Sequence, residues 1–342
     1  GNTSLGESEN QWNATGVWDT NFREVFHLDE PSGTLYDSTT SGYTGAAVGN
    51  ATQGVAGKIS KAVDFDGTTG SRVTLNDGSM AGNQTFTLSA WARADTLSGQ
   101  WEGIVTKGRN LGVDWQGLWF EDTNSLTFGW ETPAGNLDGS SVSPGRWYYV
   151  VATYDGTNRR LYLNGALDAG PVATASHGTS IDEATLIGED IIGSVLDGIV
   201  DEVRISTIVR PAAWIQTEYN NQRAPAAIYT VGIEETNGTE ADPFDNGWQH
   251  SKKITILASE VAADLTNFPV LIRTTHADWA DTSNGGYVAQ PDGGDILFLA
   301  GNRITKLDHE IESYDETTGE LVAWVEVLSL STSQLSLIHI SE

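Results

Sequence analysis

Three observations predict an all-β chain: an antiparallel two-sheet jelly-roll sandwich followed by a second, incomplete β-rich domain. From Val25 to Ser206 short alternating or apolar runs are separated by clusters of Gly, Asn, Asp and Ser, the pattern of an antiparallel sandwich. Glycine supplies 38 of 342 residues with no collagen period, which fits many turns between short strands. After residue 246 a further set of strand-like runs resumes, from Lys252 to Leu328.

Taken in order, the sandwich strands are KAVDF (Lys61–Phe65), RVTL (Arg72–Leu75), TFTLSAWAR (Thr85–Arg93), GIVTK (Gly103–Lys107) and GLWF (Gly117–Phe120). SLTFGW (Ser125–Trp130), RWYYVVATY (Arg146–Tyr154), RRLYLNG (Arg159–Gly165) and GIVDEVRIS (Gly198–Ser206) complete them. In TFTLSAWAR, Phe86, Leu88, Ala90 and Ala92 fall on one face by the strand period of two, so that face points inward. Asp155-Gly156 between two such runs predicts a hairpin. One helix is predicted, PAAWIQTEYNNQ, with Pro211 suited to a first turn and Ile215 and Tyr219 on one face, packing as a closing flap. Residues 222–246, rich in Pro, Gly and acid and without sustained periodicity, read as an acidic linker. Strands of the second domain are expected at Lys252–Leu257, Phe268–Thr274, Asp295–Ala300, Lys306–Tyr314 and Leu321–Leu328.

Composition excludes several functions. With 46 acidic against 18 basic side chains the net charge is −28, and nucleic acid or anionic lipid needs clustered Lys and Arg to displace counterions. Cysteine is absent, so disulfides, thiolate catalysis and Cys-based metal sites are excluded. No run approaches the ~18 apolar residues of a membrane helix, so direct membrane insertion is not expected. The opening GNTSLGESENQWN lacks a charged and an apolar signal region and a start methionine, so the chain reads as an internal piece of a longer protein.

VFHLDEPSGTLYDSTTSGYTGAAVG, KISKAVDFDG and LDGIVDEVRIS, together with LSAWAR and RWYYVVATYDGTNRRLYLNG, carry a family resemblance. Residues 17–221 resemble the laminin-G-like, concanavalin A-like lectin/glucanase jelly-roll module of bacterial surface and secreted proteins. The resemblance implies a two-sheet sandwich, commonly with structural calcium (Ca2+), that binds glycan or protein and is often appended to enzymes. Residues 247–334, with KKITI, NFPVLIR, DILFLA, KLDHEIESYD and ELVAWVEV, resemble a bacterial domain of unknown function that neighbours such modules, also found with ExbB/TolQ-type proton-channel proteins. Residues 1–16 are similar to the exit of that same family, which implies a slice from an alternating array. The tail LSLIHISE, residues 335–342, resembles an adapter-derived translation, the alternative being an ordinary final strand; no function is assigned to it.

Catalysis has no visible seat. The Glu-x-Asp-x-x-Glu run by which jelly-roll glucanases aim alternate carboxylates into one cleft is missing, and Asp64 and Asp66 read as a solvated strand end. His309-Glu310 lacks the second His of a zinc helix, and no serine sits in a nucleophile elbow. Trp91, Phe128, Trp147 and Tyr149 read as core. Trp101, Trp115, Trp119 and Trp130 are the candidate ligand-binding rings, with Asp114, Gln116 and Glu121 to accept hydroxyl hydrogen bonds. Trp119 also alternates like a core residue. Asp37 and Asp201 are the metal candidates: calcium takes carboxylate and carbonyl oxygens, and in the family resembled the first loop and last strand meet at the ion. The alternative is a pair of solvated acids. The expected function is a non-catalytic extracellular or cell-surface module for polysaccharide or a surface glycoprotein. Its rivals are an architectural spacer in a repeat array and an accessory domain of a larger hydrolase or transport-associated protein.

Overall fold

A computed structural model describes residues 14–77, 85–108, 115–121, 124–130, 135–174, 184–190, 193–235, 250–333 and 336–341, with backbone alone at 108, 115 and 336–341. The chain divides into two units, Thr20–Ile215 and a second built from residues up to Asp19 together with Gln216–Glu342. Among the described residues no helix is long and apolar enough to cross a membrane.

The first unit is the sandwich. Its strands are β1 (Phe22–Phe26), β2 (Thr34–Tyr36), β3 (Thr44–Val48), β4 (Thr52–Ala56), β5 (Lys61–Asp66), β6 (Arg72–Leu75), β7 (Phe86–Ala94) and β8 (Glu102–Gly108). They continue with β9 (Trp115–Phe120), β10 (Ser125–Trp130), β11 (Leu137–Ser141), β12 (Tyr148–Tyr154), β13 (Asn158–Leu163), β14 (Ala166–Ala173), β15 (Thr185–Ile187) and β16 (Asp197–Ser206). One antiparallel sheet runs β14-β13-β12-β7-β16-β5-β4 with β1 beside β16, the other β11-β10-β9-β8-β15-β6-β3-β2. The alternation of β7 is realised: Phe86, Leu88, Ala90 and Ala92 enter the shared core with Leu118, Phe120, Leu126 and Phe128. Phe128 is core as expected. Trp91 and Tyr149 are buried on the opposite face of their sheet, their rings tilted against each other with centroids 5.3 Å apart and the Lys58 ammonium over the Trp91 ring. Trp147 is half-buried beneath the Arg93 guanidinium.

The second unit contains α1 (Ala14–Val17), α2 (Ala212–Arg223) from Gln216 onward, α3 (Pro225–Ile228), β17 (Tyr229–Glu235), β18 (Ser251–Ile256) and β19 (Leu265–Thr275). β20 (Leu297–Ala300), β21 (His309–Asp315), β22 (Glu320–Leu330) and β23 (Ser336–Ser341) complete it, as sheets β17-β18-β23-β20 and β19-β22-β21. An edge strand exposes unpaired amides that invite foreign strands. On β19 they are met by side chains: Asn221 bonds both the N–H and the C=O of Leu271, and the Tyr229 hydroxyl does the same at Arg273.

Three boundary expectations are corrected. Part of the stretch read as linker, 222–246, is ordered: Pro225–Ile228 is a helical turn and Tyr229–Glu235 a strand paired with Ser251–Ile256, while 236–249 lies outside the described residues. A strand in that acidic stretch is stabilised by its ladder and not by its own composition. The helix is not simply a flap on the sandwich, because Thr217, Asn220 and Asn221 bond to Ala262, Glu260 and Leu271 of the second unit. Trp18, expected with the sandwich, belongs to the second unit: its indole lies 5.5 Å from Trp324 and donates to Glu310 at 3.0 Å. The segment resembling an adapter-derived tail supplies β23, paired with β18 on one side and β20 on the other.

The sandwich also buries an ionic cluster. Lys107 Nζ lies 2.6 Å from Asp77 Oδ2, both side chains fully buried, and Thr185 donates to the same carboxylate. Nearby Glu24 is buried, one of its carboxylate oxygens has no hydrogen-bond partner, and burial, with Asp77 next, raises its carboxyl from about 4.5 to about 8. The unfolded chain loses this proton near 4.5 and the folded chain keeps it to about 8, so unfolding releases a proton between those values. Stability from this group is therefore present in full below about 4.5 and lost as pH rises to about 8. Glu24→Gln is expected to match the parent at pH 4 and to exceed it at pH 8 by on the order of a few kcal/mol. Parallel melting curves for parent and variant across that range would refute the assignment.

Candidate functional site

The candidate site is the outer face of the β11-β10-β9-β8 end of the second sandwich sheet. Leu118 and Phe120 of β9 point into the core, so alternation turns Trp119 outward. Register places Trp119 opposite Gly103 on β8 and opposite Thr127 on β10, and Thr127 opposite Asp138 on β11. Trp101 precedes β8 in a tight turn closed by the Glu102 amide on the Gln100 carbonyl, and beyond the Phe120–Leu126 pair Glu121 comes alongside Ser125. Two adjacent rows result, one of Glu121 and Ser125 and one of Trp119, Thr127 and Asp138.

Polar contacts tie the rows together. The Thr127 hydroxyl lies 3.1 Å from Glu121 Oε2 and 3.2 Å from Asp138 Oδ1, and the Ser125 hydroxyl lies 3.4 Å from Glu121 Oε2. Trp101 and Glu121 are half-buried and Asp138 is exposed, whereas Trp119 is only 3% exposed. The Trp119 ring reaches over Gly117: a Cβ there would collide with the Val105 carbonyl oxygen and meet Trp119 Cη2 at 3.0 Å. Glycine is thus required where the ring and the neighbouring strand close on the backbone.

The four candidate tryptophans separate. Trp119 lies on the outer face but is buried there, and Trp101 stands half-buried in the turn before β8. Trp130 points the other way, buried in the core against Phe86, Phe128 and Tyr154 at 4.7–6.2 Å, because β10 alternates from Leu126. Only the backbone of Trp115 is described, and Asp114 lies outside the described residues. Thr127 and Asp138 were missed by sequence reasoning; the alternation of SLTFGW marks Thr127, while Asp138 is visible only through its pairing.

Asp37 and Asp201 are each held by a separate set of donors. Asp37 accepts from the Val25 and Thr39 amides at 2.9 and 3.0 Å, from the Thr39 hydroxyl at 2.8 Å and from the Tyr43 amide at 3.3 Å. Asp201 Oδ2 accepts from the Lys58 and Ile59 amides at 2.7 and 3.0 Å. Burial drives the Asp201 carboxyl well above the usual carboxylate range, and neighbouring Glu202 adds to it. Among the described residues neither acid belongs to a group of three His, Asp or Glu whose ligand atoms converge to metal distance. N–H and O–H donors occupy both oxygens of Asp37 and Oδ2 of Asp201, where a calcium ion would need oxygens. Asp201 Oδ1 is buried without a hydrogen-bond partner, but with no converging acid beside it among the described residues the set does not fit the ion. Nor are they solvated acids, since both are buried. A bulge at Glu202, whose φ is +55°, lets two successive acids be buried: Asp201 on the 58–59 loop, Glu202 against His27 at 2.9 Å and Arg204.

The other sequence motifs resolve simply. Asp66 binds Thr68 and Asn50 at an exposed strand end, those bonds holding its carboxyl down to about 2. His309 is buried against the Leu307 carbonyl, and Glu310 accepts the Trp18 indole.

The sheet order and the shared core are those of an antiparallel two-sheet sandwich. Residues 66–216 match the concanavalin A-like lectin/glucanases superfamily. The lectin/glucanase match begins within β5 and ends just after the sandwich unit does. No curated protein matches the chain. Among solved structures, the chain is similar to a Trypanosoma rangeli sialidase in complex with 2,3-difluoro-KDN, at TM-score 0.49 and 18% identity over 60% of this chain and 33% of that one. It is similar to domain 4 of AbnA, a GH43 extracellular arabinanase from Geobacillus stearothermophilus in complex with arabinotriose, at TM-score 0.48 and 20% identity over 57% and 96%. It is also similar to the binding domain of Paraclostridial Mosquitocidal Protein 1, at TM-score 0.48 and 13% identity over 76% and 62%. The chain thus spans about a third of the length of the sialidase.

Proposed function

We propose that the lectin/glucanase-type sandwich is a non-catalytic extracellular module that binds polysaccharide, free or on a surface glycoprotein, across the outer face of β8–β11. One observation carries this reading: the exposed Asp138 and the half-buried Glu121 are joined through the buried Thr127 hydroxyl on the outer side of β9–β11, and the half-buried Trp101 stands at the entry to β8 of the same sheet. An indole offers its face to sugar C–H groups, and the carboxylates accept hydroxyl hydrogen bonds. Two carboxylates on the face, in a chain of net charge −28, favour neutral over anionic glycans. The superfamily match over residues 66–216 supports the same reading.

Affinity gels and calorimetry against neutral arabinan, xylan and mixed-linkage β-glucan, with polygalacturonate as the anionic arm, test it. At least one neutral polymer is expected to bind, and Trp101→Ala to weaken it roughly tenfold, the loss of about 1.4 kcal/mol, with no change in melting. Retention by none of them would favour the architectural spacer. Glu121 and Asp138 share the Thr127 hydroxyl, an arrangement that would also suit hydrolysis; release of reducing ends from the bound polymer would turn the reading to an enzyme.

A further inference from the structure

The second unit has an open cavity of about 460 Å³, within the range of small-ligand sites. One wall is apolar: Pro225 at the start of α3, and Tyr229 and Val231 of β17. The rest of the lining is polar: Arg273 and Thr275 of β19, and Glu320 of β22, which register places directly opposite Thr275. Tyr229 is locked in place, its hydroxyl donating to the Arg273 carbonyl at 2.6 Å and accepting from the Arg273 amide at 2.9 Å. The ring is fixed but only 4% exposed, so the accessible apolar lining comes from Pro225, Ala226 and Val231. At its mouth Arg273 Nη2 and Glu320 Oε1 lie 3.3 Å apart, each side chain 42% exposed.

We propose that this cavity is a second binding site, separate from the sandwich face, for one neutral sugar residue. The ion pair selects that chemistry. An anion would meet Glu320 and a cation Arg273, whereas a neutral polyol gives acceptors to the guanidinium and donors to the carboxylate while the pair stays intact. The apolar wall takes the C–H face of the ring, and Thr275 adds a hydroxyl of either polarity.

Saturation-transfer NMR on the full chain with xylotriose, cellotriose, mannotriose and arabinotriose tests the site. Transfer to at least one trisaccharide is expected. Arg273→Ala and Glu320→Gln should each raise its Kd at least fivefold, and Val231→Trp, which fills the cavity, should abolish it. Arg273 and Glu320 lie at the surface, so near-UV circular dichroism of both variants should match the parent. Trp101→Ala should leave this binding unchanged, which keeps failure here distinct from failure of the sandwich reading. No transfer from any of the four, transfer that survives all three cavity variants, or transfer removed by Trp101→Ala alone would overturn the proposal.

Discussion

Asp201→Ala is expected to lower the melting temperature of the sandwich by roughly 5–15 °C. The carboxylate is fully buried and accepts two backbone amides, Lys58 and Ile59, from the loop between β4 and β5. Its loss strands both donors, at about 1–3 kcal/mol each. A Cβ on Gly57 would lie 2.7 Å from Asp201 Oδ2, so the loop already sits against the acid and the space does not refill easily. Asp201→Asn keeps one acceptor oxygen and should recover most of the loss. Chelator should leave the melting of the parent unchanged. A chelator-induced drop in the parent that is absent from Asp37→Ala and Asp201→Ala would instead establish a metal at these residues.

Trp18→Ala should destabilise the second unit by about 3–5 kcal/mol and leave the sandwich transition where it is. The indole is 4% exposed, packs on Trp324 and donates to Glu310, while Trp324 donates in turn to Glu312 at 2.9 Å. Removing one ring therefore opens a cavity and leaves the Glu310 carboxylate without the indole donor. Scanning calorimetry would resolve the two transitions. A single transition lowered as a whole, or no change, would contradict the assignment of residues up to Asp19 to that unit.

What was legible in the sequence was the set of strands that carry their own alternation. Phe86, Leu88, Ala90 and Ala92 announce the inner face of β7, and ELVAWVEV announces β22, because one buried face imposes a period of two. Tyr229–Glu235 was hidden, since YTVGIEE stands among acids, Gly and Pro and becomes a strand only through Ser251–Ile256, a partner across 15 intervening residues. Of the site, Trp101 and Glu121 were legible as an aromatic and an acceptor in Gly-rich sequence. Trp130 lies in the core because the face of a ring depends on which neighbours define that core, and Trp119, open in the sequence between core and binding, lies outside the core cluster yet is 3% exposed. Asp201 was singled out for the right reason, a carboxylate needing compensation. Its partners are backbone amides, which every residue but proline carries and which therefore leave no mark in a sequence.

The pairing of Trp18 with Glu310, 292 positions apart, orders events on the ribosome. The sandwich, Thr20–Ile215, is complete in the emerging chain well before β21 and β22 are made, and domains fold as units during synthesis. For that interval Trp18 has neither the Trp324 ring to pack on nor the Glu310 carboxylate to donate to. A chain cut or stalled after the sandwich therefore leaves Trp18 without these two partners, and the segment up to Asp19 waits on strands made last.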